Sequence, residues 1–154
     1  MRVSAKADYA VRATVELAAA QPGSPVKADV LARNQTIPQK FLENILTELR
    51  HAGLVASRRG QEGGYWLARP AEDITIADVI RAVEGPLASV RGEPPERLEY
   101  HGAAEPLQQV WIALRTALRS VVEEVTVADV AAGALPAAVA TMAENPESWT
   151  TRGR

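Results

Sequence analysis

Apolar residues along this chain fall into short stripes of helical period separated by turn residues, and the stretch from Val26 to Leu67 changes period within itself. Val26-Lys27-Ala28-Asp29-Val30-Leu31-Ala32 reads as a short amphipathic helix with Val30 and Leu31 turned inward, and Asn34-Gln35-Thr36 breaks the pattern. Ile37 to Leu49 resumes it. Phe41, Leu42, Ile45, Leu46 and Leu49 fall at i, i+1, i+4, i+5 and i+8, which buries one stripe of a helix and leaves Gln39, Lys40, Glu43, Asn44 and Thr47 outward. Pro38 suits a first helical turn, where a missing N–H costs nothing. Gly53 stops the helix as a left-handed cap would. Leu54 to Arg58 then reads as a strand, Gly60 to Gly64 as a loop and Tyr65-Trp66-Leu67 as the returning strand.

The remaining elements frame this stretch. Residues 5–21 form a first helix with Tyr9, Ala13, Leu17 and Ala20 along one face; Ser4 is its N-cap, and Gln21-Pro22-Gly23-Ser24-Pro25 ends it. Thr75-Ile76-Ala77-Asp78 has the form of a capping box, after which Ile76, Val79, Ile80 and Val83 face a core until Gly85-Pro86. The same form recurs at Thr126-Val127-Ala128-Asp129, and convergent capping explains it better than an internal repeat. Residues 86–106 have no period and contain Pro86, Pro94, Pro95 and Pro106, a long loop that is either functional or mobile. From there Leu107, Trp111, Leu114, Leu118, Val121 and Val125 recur at alternating intervals of four and three, a heptad seam on a helix roughly 28 Å long. A helix buried in its own subunit would also carry such a stripe. In so small a chain, a seam this long predicts pairing with a second copy. The chain is Ala-rich after Val130, and Glu144 to Arg154 is expected to be disordered.

Two short helices around a tight turn, the second polar on its free face, make a helix-turn-helix, and a β-hairpin after the second helix is a wing. The predicted architecture is therefore mostly α: a winged helix-turn-helix DNA-binding region over 1–68 with a two-stranded wing, and a connector helix, effector loop and long C-terminal dimerisation helix over 69–135. A flexible tail covers 136–154. The candidate DNA contacts are Arg2, Ser4 and Lys6 at the start of the first helix and Pro38, Gln39, Lys40, Glu43, Asn44 and Arg50 on the recognition helix. Arg58, Arg59 and Gly60 complete them on the wing. Gln and Asn can pair with adenine, Lys with guanine, and Glu with the cytosine amino group. Arg2 and Lys6 stand at a helix N-terminus, a place suited to phosphate, although two solvated cations describe them equally well from the residues alone. Glycines at both ends of the wing loop let a backbone approach a groove closely.

Composition sharpens this picture. At 154 residues, length favours one domain, and 47% hydrophobic content with only 5% aromatic suits closely packed helices. The net charge of −2 argues at first against DNA. Its distribution reverses that: residues 1–68 hold nine Lys and Arg against six Asp and Glu, and residues 69–154 hold eight against thirteen. Ordinary charge scatter is the competing explanation for so small an asymmetry. There is no cysteine, so disulfides, thiolate metal sites and cysteine nucleophiles are excluded. His101 with Glu99 and Glu105 reads as a solvated group rather than a metal site. No apolar run nears membrane-spanning length, and a cytoplasmic protein is expected.

Met1-Arg2-Val3-Ser4-Ala5-Lys6 leading into Tyr9-Ala10-Val11, with Phe41-Leu42-Glu43, Leu49-Arg50, Gly53-Leu54-Val55 and Arg59-Gly60-Gln61-Glu62-Gly63-Gly64-Tyr65, resemble the Rrf-type bacterial transcription regulators, the IscR-, NsrR- and CymR-like family. The resemblance covers residues 1 to 135, and the R-G-x-x-G-G-Y wing is its most specific part. Thr36 departs from the pattern, since the family often has Gly in that turn. The resemblance implies that the start of the first helix lies near the DNA backbone, which favours Arg2 and Lys6 as contacts. It implies that Glu43 aligns with a base-reading glutamate. Lys40 stands where some relatives carry a small hydroxyl residue, so an operator sequence does not carry over. It also implies dimerisation through the 107–125 helix. Iron–sulfur members supply three cysteines from the 86–106 region; Ser89-Val90-Arg91-Gly92-Glu93 and Glu99-Tyr100-His101-Gly102 stand there instead, which identifies a cysteine-free member without a cofactor.

The expected function is a sequence-specific transcription regulator, a repressor, acting as a homodimer on a near-palindromic operator in double-stranded DNA and responding to a small-molecule or protein effector. The alternative is a DNA-associated adaptor whose activity depends on a partner protein, as in CymR-like members tied to cysteine metabolism. An enzyme is excluded on chemistry: no cysteine, two distant histidines, and no P-loop, HExxH or nucleophile motif.

Overall fold

The computed structural model describes residues 2–151. Met1, where the family resemblance begins, and residues 152–154 of the expected tail lie outside the described residues.

The helices are α1 (Ala5–Ala19), α2 (Ala28–Gln35), α3 (Gln39–His51), α4 (Ile76–Glu84), α5 (Leu107–Val122), α6 (Val127–Ala132) and α7 (Ala137–Glu144), with β1 (Val55–Arg58) and β2 (Gly64–Leu67) between α3 and α4. The two strands pair antiparallel with Val55 opposite Leu67 and Arg58 opposite Gly64. This is a mostly helical winged helix-turn-helix. None of the helices among the described residues is long and apolar enough to cross a membrane.

The core joins the two regions that the sequence separates. Leu31, Leu42, Ile45, Leu46 and Leu49 of the helix-turn-helix are fully buried in one cluster with Ala10, Ala13 and Leu17 of α1, and with Ile74, Val79 and Val127 from beyond residue 68. Each of the large aliphatic side chains buried in this way contributes about 1.5–3 kcal/mol. α1 is the central element, packing against α4 and α6 as well as α3. Residue 68, expected to separate two regions, is therefore not a boundary of packing.

Both capping boxes form: the Thr75 and Thr126 hydroxyls accept from the amides of Asp78 and Asp129, whose carboxylates accept from Thr75 and Thr126 amides in return. The two helix starts also face each other in an antiparallel bridge, with Ile76 N–H donating to the Val125 carbonyl and Val127 N–H to the Ile74 carbonyl, both at 2.9 Å.

Three expectations change. Phe41, placed in the buried stripe of α3, is 39% exposed and meets Tyr9 edge to face at 5.7 Å between ring centres. Val125, placed at the end of the dimerisation seam, lies beyond the end of α5 and is only 5% exposed within its own chain, held by the bridge to α4. The tail over 136–154, expected to be flexible and disordered from Glu144 on, carries α7 and a turn over Pro146–Trp149 that packs against it.

Candidate nucleic-acid interface

The turn between α2 and α3 is closed from both directions. Ile37 N–H donates to the Ala32 carbonyl at 2.9 Å and Thr36 N–H to the Arg33 carbonyl at 3.3 Å, the paired bonds of a Schellman turn with Thr36 in the left-handed region at φ 53°. α1 supports this turn from behind. Arg12 Nη1 donates to the last carbonyl of α2, Gln35, at 2.6 Å, and Glu16 accepts from Gln35 Nε2 at 2.6 Å and Asn34 Nδ2 at 3.2 Å. A guanidinium at a helix C-terminus complements the dipole there. Neither Arg12 nor Glu16 was singled out from sequence; they are two of four charges on an Ala-rich helix, and nothing local sets them apart.

α3 is fixed by four fully buried side chains and shows the opposite face to solvent. Gln39, Lys40, Glu43 and Asn44 are all exposed. Gln39 Nε2 and Glu43 Oε1 lie 3.4 Å apart, a weak bond one turn along the helix, while Lys40 and Asn44 have no hydrogen bond or ion pair with the described residues. Pro38 is the residue before the helix rather than its first turn, with Leu42 N–H donating to its carbonyl at 3.0 Å. At the far end, Gly53 at φ 76° closes α3 through Leu54 N–H to the Leu49 carbonyl at 3.0 Å, as its position predicts.

The other candidates divide into free and engaged. Lys6 Nζ pairs with Glu48 of α3 at 2.8 Å, and the Ser4 hydroxyl is used twice, accepting from Ala7 N–H at 3.0 Å and donating to Glu84 of α4. Arg50 Nη1 donates to Ser57 Oγ at 3.2 Å, tying α3 to β1, and Arg58 Nη2 donates to the Glu62 carbonyl at 3.2 Å across the wing. Arg2 and Arg59 are exposed and have no partner among the described residues. With Lys40, they are the cations of the candidate set whose side chains have no hydrogen bond or ion pair among the described residues.

Two of the wing glycines, Gly63 and Gly64, serve the packing of the chain itself. Gly63 and Gly64 are buried: a Cβ on Gly63 would stand 2.0 Å from the Arg58 carbonyl oxygen, and one on Gly64 2.7 Å from the Val26 carbonyl oxygen. Val26 and Tyr65 exchange both backbone bonds at 2.8 Å, so the wing is stitched to the segment entering α2. Gly60, at φ 102°, is the glycine left exposed at the tip.

The loop over 86–106 is fastened to α5. Gln108 Nε2 donates to the Leu98 carbonyl at 2.8 Å, Trp111 Nε1 donates to the Tyr100 hydroxyl at 2.9 Å, and Arg115 pairs with Glu96. A hydrogen bond from its own backbone amide, followed by Arg115, holds the Glu96 carboxyl below the usual carboxylate range. Along α5 no residue is buried: Leu107, Trp111, Leu114, Leu118 and Val121 are half covered, and Val110 is 53% exposed.

Comparison with known proteins follows this geometry. Residues 3–133 match the family model named Rrf2, described as an iron-dependent transcriptional regulator. Rv1287 of Mycobacterium tuberculosis, a candidate HTH-type transcriptional regulator, is 57% identical over 145 residues, covering 94% of this chain and 90% of that protein. The HTH-type transcriptional regulator CymR of Bacillus subtilis is 34% identical over 131 residues, covering 85% and 90%. The structure of B. subtilis CymR, the global cysteine regulator, superimposes with a TM-score of 0.73 at 32% identity over 86% of this chain and 98% of that one; IscR of T. potens gives 0.68 at 29% identity over 99% and 94%. The iron in the family description finds no fitting donor set here. The chain has no thiolate to offer, and among the described residues no three His, Cys, Asp or Glu side chains gather as a metal site.

Proposed function

Because the chain belongs to the Rrf2 family of transcriptional regulators, and so is no enzyme, we propose that it acts in the cytoplasm as a homodimeric repressor that binds a near-palindromic DNA operator. One observation carries the reading of the interface. α3 is anchored by Leu42, Ile45, Leu46 and Leu49, and its N-terminal end offers Gln39, Lys40, Glu43 and Asn44 to solvent, the end of a recognition helix that meets base edges. Lys40, Glu43 and their neighbours read the major groove, while Arg59 of the wing enters the minor groove or clamps a phosphate. Arg2 adds a backbone contact from the start of α1.

The half-covered apolar side chains of α5 support a dimer, since a second copy of α5 would complete their burial. Two-fold symmetry in the protein then calls for two half-sites in the DNA. The absence of cysteine directs the signal elsewhere: an effector, small molecule or protein, acts through the 86–106 loop and α5 by favouring one placement of the two DNA-binding heads.

Substitution separates the two kinds of contact. Glu43→Ala is expected to relax preference at particular base pairs by roughly 1–3 kcal/mol, measured by binding to systematically varied duplexes. Arg59→Ala is expected to weaken binding to specific and unrelated DNA alike, and to flatten the salt dependence by about one phosphate contact if it clamps backbone. Two variants with unchanged preference and affinity would place the recognition unit elsewhere.

A further inference from the structure

Lys27 occupies a position that helix-capping chemistry does not favour. It is the residue before α2, and its side chain makes no capping bond to the first turn. Ser, Thr, Asp and Asn satisfy the open amides at such a position, and a cation beside a helix N-terminus opposes the helix dipole. The ammonium reaches across to the wing instead: Lys27 Nζ donates to the Gly60 carbonyl at 2.7 Å. The same carbonyl accepts from Gly63 N–H at 3.0 Å, so one oxygen both closes the wing turn and receives the lysine. Its neighbour in the chain is Arg59, exposed and without a partner among the described residues.

A hairpin of two four-residue strands is marginal by itself and takes its orientation from what it is tied to. The second strand is tied to Val26 through Tyr65, one residue pair from the turn; Lys27, one residue on from Val26, extends that anchorage to the tip. We infer that Lys27 is a positioning residue for DNA binding, whose ammonium holds the wing tip where Arg59 reaches the DNA. The inference rests on the proposed role of the wing. It also explains why a poor capping residue stands at the start of α2, since a local rule is broken where a second task is served.

Lys27→Ser tests it, because serine restores the missing cap while removing the clamp. Thermal stability is expected not to fall. Amide hydrogens from Gly60 to Gly63 are expected to exchange faster in the free protein. Affinity for a duplex recovered by the wild-type protein from a random-sequence pool is expected to drop about tenfold, the size of one charged hydrogen bond. Lys27→Arg, which keeps a donor of similar reach, is expected to retain both wing protection and affinity. In an Arg59→Ala background, Lys27→Ser is expected to cost nothing further. The same loss with and without Arg59 would make Lys27 a phosphate contact in its own right and overturn the positioning role. Unchanged exchange at the wing tip would overturn the clamp whatever the DNA does. A wild-type protein that recovers no duplex, with a wing that still loosens in the variant, would overturn the DNA-binding reading and the positioning role with it, a result distinct from failure of the clamp.

Discussion

Thr36 holds φ 53° and ψ 49° at the end of α2, a left-handed conformation in which a β-branched side chain crowds its own backbone. The turn needs this conformation, because the Schellman bonds to Ala32 and Arg33 close only there. Thr36→Gly is therefore expected to stabilise the protein by about 1 kcal/mol, the relief of strain outweighing the extra freedom of the unfolded chain. A higher denaturant midpoint at unchanged slope would show it; a lower midpoint would mean that the threonine side chain contributes more than it strains. The departure at Thr36 from the glycine common in the family was visible in sequence, whereas the strained angle it adopts was not. Phe41 shows the opposite limit. Helical period assigns it to the apolar side of α3, but period fixes only the middle of a stripe. Which edge is covered depends on Tyr9, thirty-two residues away, whose ring stands nearly perpendicular to that of Phe41.

Among the elements, α5 is the longest whose burial its own chain leaves incomplete among the described residues. Its apolar residues touch the Pro95–Arg97 turn and α4, yet none is buried. Leu114→Arg would set a charge into this surface, where desolvation is costly. The expected outcome is a monomer by size-exclusion chromatography with light scattering, together with lost operator binding. A variant that remains dimeric would move the interface off α5. The heptad pattern located this helix in the sequence but carried its seam one step too far. Val125 fits the spacing, yet α5 ends at Val122, and Val125 turns into the core because its carbonyl pairs with Ile76. Spacing alone cannot distinguish a residue that continues a helix from one that enters the next strand-like bridge at the same interval.

For the whole molecule, the decisive count is that of cysteine. An iron–sulfur cluster needs soft thiolate donors, and the 86–106 loop instead offers its polar groups to α5 through Gln108, Trp111 and Arg115. Protein purified without oxygen is expected to be colourless, with no stoichiometric iron or sulfide. A brown cluster, lost together with DNA binding on exposure to air, would refute the reading of this regulator as cluster-free. The charge division belongs to the same scale: Lys6, Arg50 and Arg58, half of the candidate cations, make contacts within the chain, and Arg2, Lys40 and Arg59 have no partner among the described residues. A count of basic residues could not have separated these two groups, since pairing depends on what lies opposite in space.

The sequence alone determined the order of helix, turn, helix and hairpin, because period and turn chemistry are local: Gly53 caps α3, Thr75 and Thr126 open α4 and α6, and the glycines from Gly60 to Gly64 turn the wing. It also determined that no cysteine-ligated cluster could form. Only the tertiary structure decided which of the candidate side chains are engaged by the chain itself and which are without a partner among the described residues. Lys6 goes to Glu48, Ser4 to Glu84, and Lys27 to the wing tip, while Gly63 and Gly64 make room for the chain's own backbone. These are contacts between residues far apart in sequence, set by the packing of α1 through the core, and a one-dimensional pattern holds no information about the partner on the other side.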